Sequence, residues 1–559
     1  MSIFEPKKIF SACKAILLDN CTVTPCGEDA ETIRAFFSDR QIPCGADGNL
    51  TVTSQFCDTR ELTYIEECRR VTDEKYILLV RQEESGLFAE IRHGGKRGLF
   101  YALCDLYRQI MRREVCARTA ENYPLFRIRG YIEGFYGTPW KPQQRTEMLR
   151  LLAEHGMNTY FYAPKDDPYH RDRWQELYPE KELADLASLV RFAERNCVDF
   201  WFCIAPGLDI RYSDDEQFAR LAAKCRQLFS IGVRRFGLLL DDIPTVLQYP
   251  QDAVRYAEPV NAHIDLTNRL FETLRHMDAG AELVVCPTEY HGKADDYYIS
   301  KLGRGIAPEI RLFWTGRSIC SLELTVPEAV LFGEHTLHRP LYWDNFPVND
   351  AEMVHEMHIG YLQGRDAQLY RYSEGLVANV MPQFESSKIP LLTVADYLWS
   401  PETYDPLCAW EDALDTVVGA DADTFVYFAE HLLVSCLQAD VSPRMVDALS
   451  LLRGIGDVKK IPLQFSEYVS HIRACCDLLQ KRKGEKLYIE LAPWIEKFFV
   501  FADTLFLCER YLTEKDPSLL SAMRDKLRLF ERLPEVMTDF AFRAAAEAFI
   551  QYESEGDPG

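Results

Sequence analysis

The sequence predicts an α/β protein built on a closed (β/α)8 barrel of the TIM type, with a small mixed α/β domain before it and a helical bundle after it. Three observations carry this. Short apolar segments alternate with helical ones between about residues 127 and 400, the strand-like pattern stops beyond Pro401, and a different mixture of strand and helix precedes Pro124. At 559 residues the chain exceeds one ordinary core. It is divided here into 1–122, 123–400 and 401–559.

In the first segment TYIEECRR (63–70), YILLV (76–80) and LFAEIRHGG (87–95) read as short extended pieces. KRGLFYALCDLYRQIMRR (96–113) carries apolar residues at helical spacing and predicts an amphipathic helix. Pro124 marks the boundary that follows.

The barrel strands are expected at FRIRGYI (126–132), NTYFYA (158–163), DFWFCIA (199–205), RFGLLL (235–240), ELVVC (282–286), EIRLFW (309–314), RPLYW (339–343) and EGLVANV (374–380). Helices fit between them. PQQRTEMLRLLAEHG ends at Gly156 as a helix C-terminus does, and SDDEQFARLAAKCRQLFSIG opens with Ser213 as its expected N-cap, ahead of two acids. Beyond Pro401, DTFVYFAEHLLVSCLQ, PWIEKFFVFADTLFLCERYL and the tail from Leu519 to Tyr552 read as helices, with a frayed end at ESEGDPG.

Bulk chemistry narrows the function. A hydrophobic fraction of 47% and a charged fraction of 27% are those of a folded globular chain. A net charge of −23 argues against nucleic acid and acidic membranes, which are bound mainly through Lys and Arg. The 18 cysteines are scattered, many in apolar stretches such as those of Cys104, Cys203 and Cys286, and no close pair has the spacing of a zinc knuckle. They read as buried free thiols, and no structural metal is expected. MSIFEPKKIF has no leader pattern and no run is apolar enough to span a bilayer, so a cytoplasmic location is the default.

In a (β/α)8 barrel the active site forms at the carboxyl ends of the strands. The residues just past each predicted strand are Glu133 and Gly134, Lys165 with Asp166 and Asp167, Asp241 and Asp242, Tyr290, Thr315, Asp344 with Asn345 and Asp350, and Asn379. A lone polar residue there is commonly a cap or a solvated side chain. The adjacent pair differs, because GLLLDDI sets two carboxylates directly after three leucines, and like charges that close raise one pKa and leave the other ionised.

Two adjacent aspartates also suit a divalent cation, although Lys165 in the same ring weighs against one. They fit poorly to the usual glycosidase plan, whose two acids flank the bond about 5 Å or more apart. Substrate-assisted hydrolysis removes the mismatch. One acid holds the N–H of a 2-acetamido group whose carbonyl oxygen attacks the anomeric carbon, and the other protonates the leaving oxygen and later activates water.

RGYIEGFYGTPW (129–140), YAPKDDPYHRDRW (162–174), FGLLLDDI (236–243), CPTEY (286–290), FWTG (313–316) and YWDNFPVND (342–350) together resemble glycoside hydrolase family 84, the O-GlcNAcases and bacterial β-N-acetylglucosaminidases. The resemblance spans most of the barrel in the expected order. It implies a retaining exo-β-N-acetylglucosaminidase that works through an oxazoline, needs no cofactor and acts on GlcNAc-bearing glycans or glycoproteins. Asp241 would orient and polarise the acetamido group, and Asp242 would be the general acid/base. Gly134 and Lys165 would bind sugar hydroxyls, Asn345, Asp350 and Asn379 would grip hydroxyls and acetamido, Tyr290 would set the attack geometry and Trp343 would wall the acetamido pocket. Pro244, two residues past Asp242, restricts the loop on the aglycone side. A binding barrel without turnover and a metal-dependent hydrolase are the competing readings, and the second predicts loss of activity to a chelator.

Overall fold

The computed structural model describes residues 7–9, 14–18, 20–57, 72–84, 86–438, 442–451 and 463–555. Eight parallel strands close into a barrel: β1 (Ile128–Glu133), β2 (Thr159–Tyr162), β3 (Asp199–Ile204), β4 (Arg235–Leu239), β5 (Glu282–Cys286), β6 (Arg311–Trp314), β7 (Pro340–Asp344) and β8 (Gly375–Asn379), with β8 pairing back to β1. All eight coincide with the apolar runs predicted from sequence. Each is buried on both faces, as strands wrapped by helices must be.

The barrel interior is packed, not hollow. Ile132, Phe161, Trp201, Leu239, Phe313, Trp343 and Val377 share one buried cluster, and the rings of Phe161 and Trp201 stack with centroids 4.9 Å apart. Burying each such side chain contributes about 1.5–3 kcal/mol. The floor is therefore rigid, and polar chemistry is confined to the strand ends.

Before the barrel lies a six-stranded mixed sheet in the order Lys8–Ile9, Thr119–Asn122, Tyr76–Glu83, Gly86–His93, Leu50–Phe56, Val23–Gly27, packed by the helix Lys96–Met111. The expected segment 63–70 lies outside the described residues. A buried polar cluster fastens this region to the barrel. Arg129 on β1 pairs with Glu74 at 2.7 Å, donates to Tyr101 Oη at 2.9 Å and donates to the Gly156 carbonyl at 2.7 Å. Gly156 sits at φ +81, and a Cβ there would lie 2.5 Å from the Trp399 ring, so both conformation and space require glycine.

Two helix ends differ from expectation. The helix Asp215–Ser230 is capped by Asp214, not Ser213: the Asp214 carboxylate accepts from the N–H groups of Glu216 and Gln217, while the Ser213 N–H is taken by Asp252. The segment 423–438 is not one helix. Its α-helix runs Ala422–Ala429 and gives way to a short 3-10 turn, because the chain beyond crosses to the barrel, where the Cys436 N–H donates to the Glu356 carboxylate.

Helices Leu463–Arg482, Ala492–Glu514, Pro517–Arg532 and Asp539–Glu555 complete the C-terminal region, with Pro534 in the break between the last two. The region is tied to the barrel by Glu490, whose carboxylate accepts from the N–H groups of Glu385 and Ser386 at the start of the helix Phe384–Trp399. The described cysteines are free thiols; Cys104, Cys203 and Cys286 are buried, whereas Cys436 is exposed. Among the described residues no helix is long and apolar enough to cross a membrane.

Candidate active site

At the carboxyl ends of the strands lies a cavity of about 240 Å³. Gly134, Lys165, Asp241, Asp242, Tyr290, Trp343, Asn345, Asp350 and Asn379 all line it, so the structure brings together every residue singled out from the sequence as binding or catalytic.

Asp241 and Asp242 follow β4 directly but occupy different environments. The Asp241 side chain is 7% exposed and forms an ion pair through Oδ2 with the buried Lys165 ammonium. The Asp242 side chain is 38% exposed, with Oδ2 at 4.0 Å from Lys165 Nζ. Burial pushes the Asp241 carboxyl up, but the Lys165 ammonium outweighs it and holds the group below its usual value. The upward push overcome at Asp241 is that of burial, and the Lys165 cation overcomes it. Asp241 Oδ1 is buried and has no hydrogen-bond partner among the described residues. An unmatched carboxylate oxygen costs free energy until a donor reaches it.

Asp242 lies at φ +52, a left-handed conformation that costs a non-glycine residue about 1–3 kcal/mol and that recurs at functional sites. Its carboxylate is held from two sides. Tyr136 Oη donates to Oδ2 at 2.7 Å, and Tyr290 Oη approaches Oδ1 at 3.4 Å. Arg171 buttresses the arrangement, donating to Tyr136 Oη at 2.9 Å and to the Asp242 carbonyl at 3.3 Å.

Across the cavity the polar groups form a chain. Trp343 Nε1 and Asn379 Nδ2 both donate to Asn345 Oδ1, at 3.0 and 2.9 Å, while Asn345 Nδ2 donates to the Ile319 carbonyl at 2.9 Å. Asn379 Oδ1 accepts the Gly134 N–H at 3.2 Å. A Cβ on Gly134 would lie 2.6 Å from the Trp343 ring and 3.0 Å from Asn379 Oδ1, so only glycine lets the backbone approach. The Asp350 carboxylate accepts the Tyr136 N–H at 2.7 Å. Burial pushes the Asp350 carboxyl up, against that hydrogen bond and Lys165.

Other rim acids have structural partners. Glu133 is fully buried, pairs with Arg145 at 2.8 Å and accepts from Tyr160 Oη. Asp167 accepts from Tyr162 and Tyr178 at 2.8 and 2.6 Å. Asp344 makes a bidentate pair with Arg365 at 2.8 and 2.7 Å. Asp166 is exposed. Tyr136 and Arg171 received no role from the sequence, although both stand within the recognised strings; only their convergence on Asp242 distinguishes them.

A family model described as beta-N-acetylglucosaminidase matches residues 129–430, more than half of the chain. The protein O-GlcNAcases of Rattus norvegicus and Mus musculus are each 32% identical over 274 residues, which covers 48% of this chain and 29% of each relative. The chain therefore spans well under half the length of these relatives. Among solved structures, a mutant of the Thermobaculum terrenum O-GlcNAc hydrolase is 28% identical with a TM-score of 0.69, covering 78% of this chain and 98% of that one. The structure of CpGH84B, 24% identical, shares the fold with a TM-score of 0.81 over 98% of this chain and 99% of its own.

Proposed function

From the premise that this chain belongs to the β-N-acetylglucosaminidase family, glycoside hydrolase family 84, we propose that it removes terminal β-linked N-acetylglucosamine with retention of configuration, the substrate's own acetamido group being the nucleophile. The observation that carries the reading is the buried Asp241 Oδ1, an acceptor without a donor among the described residues, in a cavity whose only described ammonium already serves Oδ2. An acetamido N–H is the missing donor.

In the first step Asp241 accepts that N–H and polarises the amide. The amide carbonyl oxygen then forms a bond to the anomeric carbon while the glycosidic C–O bond breaks, and Asp242 gives its proton to the departing oxygen. An oxazoline protonated at nitrogen, its N–H held by the Asp241 carboxylate, and a free aglycone result. In the second step the Asp242 carboxylate takes a proton from water, the water oxygen bonds to the anomeric carbon, and the ring C–O bond returns its electrons to the amide. Two inversions restore the β configuration.

The remaining cavity residues serve a neutral sugar. Asn345, Asp350, Asn379, Lys165 and the Gly134 backbone offer donors and acceptors for hydroxyls, Tyr290 positions the acetamido group, and the Trp343 face walls its pocket. Removal from chain ends is what the family resemblance implies, and the proposed substrates are GlcNAc-bearing glycans or glycoproteins.

The test compares turnover of an aryl β-N-acetylglucosaminide with that of the matching aryl β-glucoside, with the product anomer read by proton NMR. The mechanism requires first-formed β-anomer from the former and no turnover of the latter. Comparable hydrolysis of both sugars would remove the acetamido from the mechanism.

A further inference from the structure

Beneath the cavity rim, away from Asp241 and Asp242, the loop that follows β7 meets the C-terminal helical region. His358 is buried, and its Nδ1 lies 3.0 and 2.9 Å from the carbonyl oxygens of Pro347 and Val348. Carbonyls only accept, so Nδ1 carries a proton and Nε2 is the end of the ring that becomes a ligand once its own proton, held toward Glu356, is lost; backbone carbonyls orient metal-binding imidazoles in this way. Nε2 points at Glu356 Oε2, 2.7 Å away.

Both Glu356 carboxylate oxygens also accept the Cys436 N–H, at 3.2 and 3.1 Å, which brings the Cys436 thiol to the same place from 80 residues away. One carboxylate oxygen, one ring nitrogen of His358 and Sγ all lie within 4.8 Å of one another. Cys436 Sγ is 3.2 Å from the Met353 thioether, a contact between two soft atoms that are weak hydrogen-bonding partners. The loop is prebuilt: the Met353 N–H donates to the Asp350 carbonyl, the Glu356 N–H to the Met353 carbonyl, and Asn349 Nδ2 to the Glu356 carbonyl.

We propose that Glu356, His358 and Cys436 form a zinc site that joins the loop after β7 to the helical region. One carboxylate, one imidazole and one thiolate are ligands that Zn²⁺ accepts in tetrahedral geometry, whereas Mg²⁺ and Ca²⁺ call for oxygen alone. The fourth position falls to water or to the Met353 thioether. On binding, the Cys436 thiol and the Nε2–H that faces Glu356 each release a proton to solvent, which leaves the thiolate and the Nε2 lone pair for the ion. Cys436 is exposed, so the ion enters from solvent. The site is structural: none of its three ligands lines the sugar cavity, but Met353 and Asp350 do, so the ion fixes one wall of the cavity to the helical region. Sequence spacing hides such a site, because its ligands come from two separate regions of the chain.

The inference is independent of the sugar chemistry and is tested without it. The full chain, freed of metal by chelation and dialysis, is titrated with Zn²⁺ against a chromophoric chelator and, in parallel, with Co²⁺ followed by absorption. The site requires one zinc per chain and an intense thiolate-to-cobalt charge-transfer band. Cys436→Ser, a change at an exposed position, abolishes the band and weakens zinc by more than the roughly 10–100-fold that loss of an outer-shell partner costs; Glu356→Gln keeps the band and weakens zinc. Absence of stoichiometric binding at micromolar Zn²⁺, absence of the band, or zinc held equally well by Cys436→Ser would each overturn the proposal.

Discussion

Lys165 pairs with Oδ2 of Asp241 and leaves Oδ1 of the same carboxylate buried with no partner among the described residues. The ammonium is what keeps that carboxylate charged, since burial alone pushes it up. The folded-state value of Asp241 is therefore depressed, and its contribution to stability is present above the ordinary carboxylate range and lost as pH falls through the folded value. Lys165→Met reverses the sign. With the cation gone burial dominates, the Asp241 carboxyl rises, and the acidic limb of the kcat/KM profile moves to higher pH. A profile measured on an aryl β-N-acetylglucosaminide checks the shift; an unmoved acidic limb would show that Lys165 does not set the charge of Asp241.

Gly134→Ala places a methyl group 2.6 Å from the Trp343 ring and 3.0 Å from Asn379 Oδ1. Neither neighbour is free to move, because Trp343 is buried and Asn379 is bound to Asn345. The expected cost is about 1–3 kcal/mol of stability, accompanied by a rise in KM as the sugar-binding chain is displaced. Thermal melts and steady-state kinetics on the same preparation read both effects.

Asp344 stands at the end of β7 beside the cavity, yet its carboxylate is committed to Arg365, whose guanidinium also donates to the carbonyls of Leu322 and Gln363. Asp344→Ala strands a buried guanidinium and is expected to cost about 3–5 kcal/mol. Molecules that still fold should retain kcat to within about a factor of 10, well short of the loss that removing an acid/base group brings. A chemical melt paired with active-site-normalised kcat separates the two.

The barrel was readable because each strand is an apolar run of four to six residues set between helical segments, and the burial of both faces leaves little ambiguity of period. The rim was only partly readable. Glu133, Asp167 and Asp344 all stand at or just past strand ends with nothing local to tell them apart, whereas Asp241 is marked only by the adjacent Asp242. What separates them is a partner elsewhere: Arg145 for Glu133, Tyr162 and Tyr178 for Asp167, Arg365 for Asp344, and for Asp241 a lysine that satisfies one oxygen and not the other. The same limit explains the helix that stops at Ala429, since the N–H of Cys436 is drawn to a carboxylate on a distant loop. Substitution of Ser213 by its neighbour Asp214 as the helix cap is a smaller case, decided by which side chain reaches the free N–H groups.

The central claim is that Asp242 handles the proton while Asp241 steers the nucleophile. The most direct measurement is kcat/KM for Asp241→Asn and Asp242→Asn across a series of aryl β-N-acetylglucosaminides of increasing leaving-group acidity. Asp242→Asn should lose roughly 10²–10⁴-fold with poor leaving groups and recover toward wild type with the most acidic phenol, because its first step then needs no proton donor. Asp241→Asn should stay depressed by roughly 10²–10³-fold across the whole series. Recovery of Asp241→Asn, or equal full activity in both variants, would contradict the assignment.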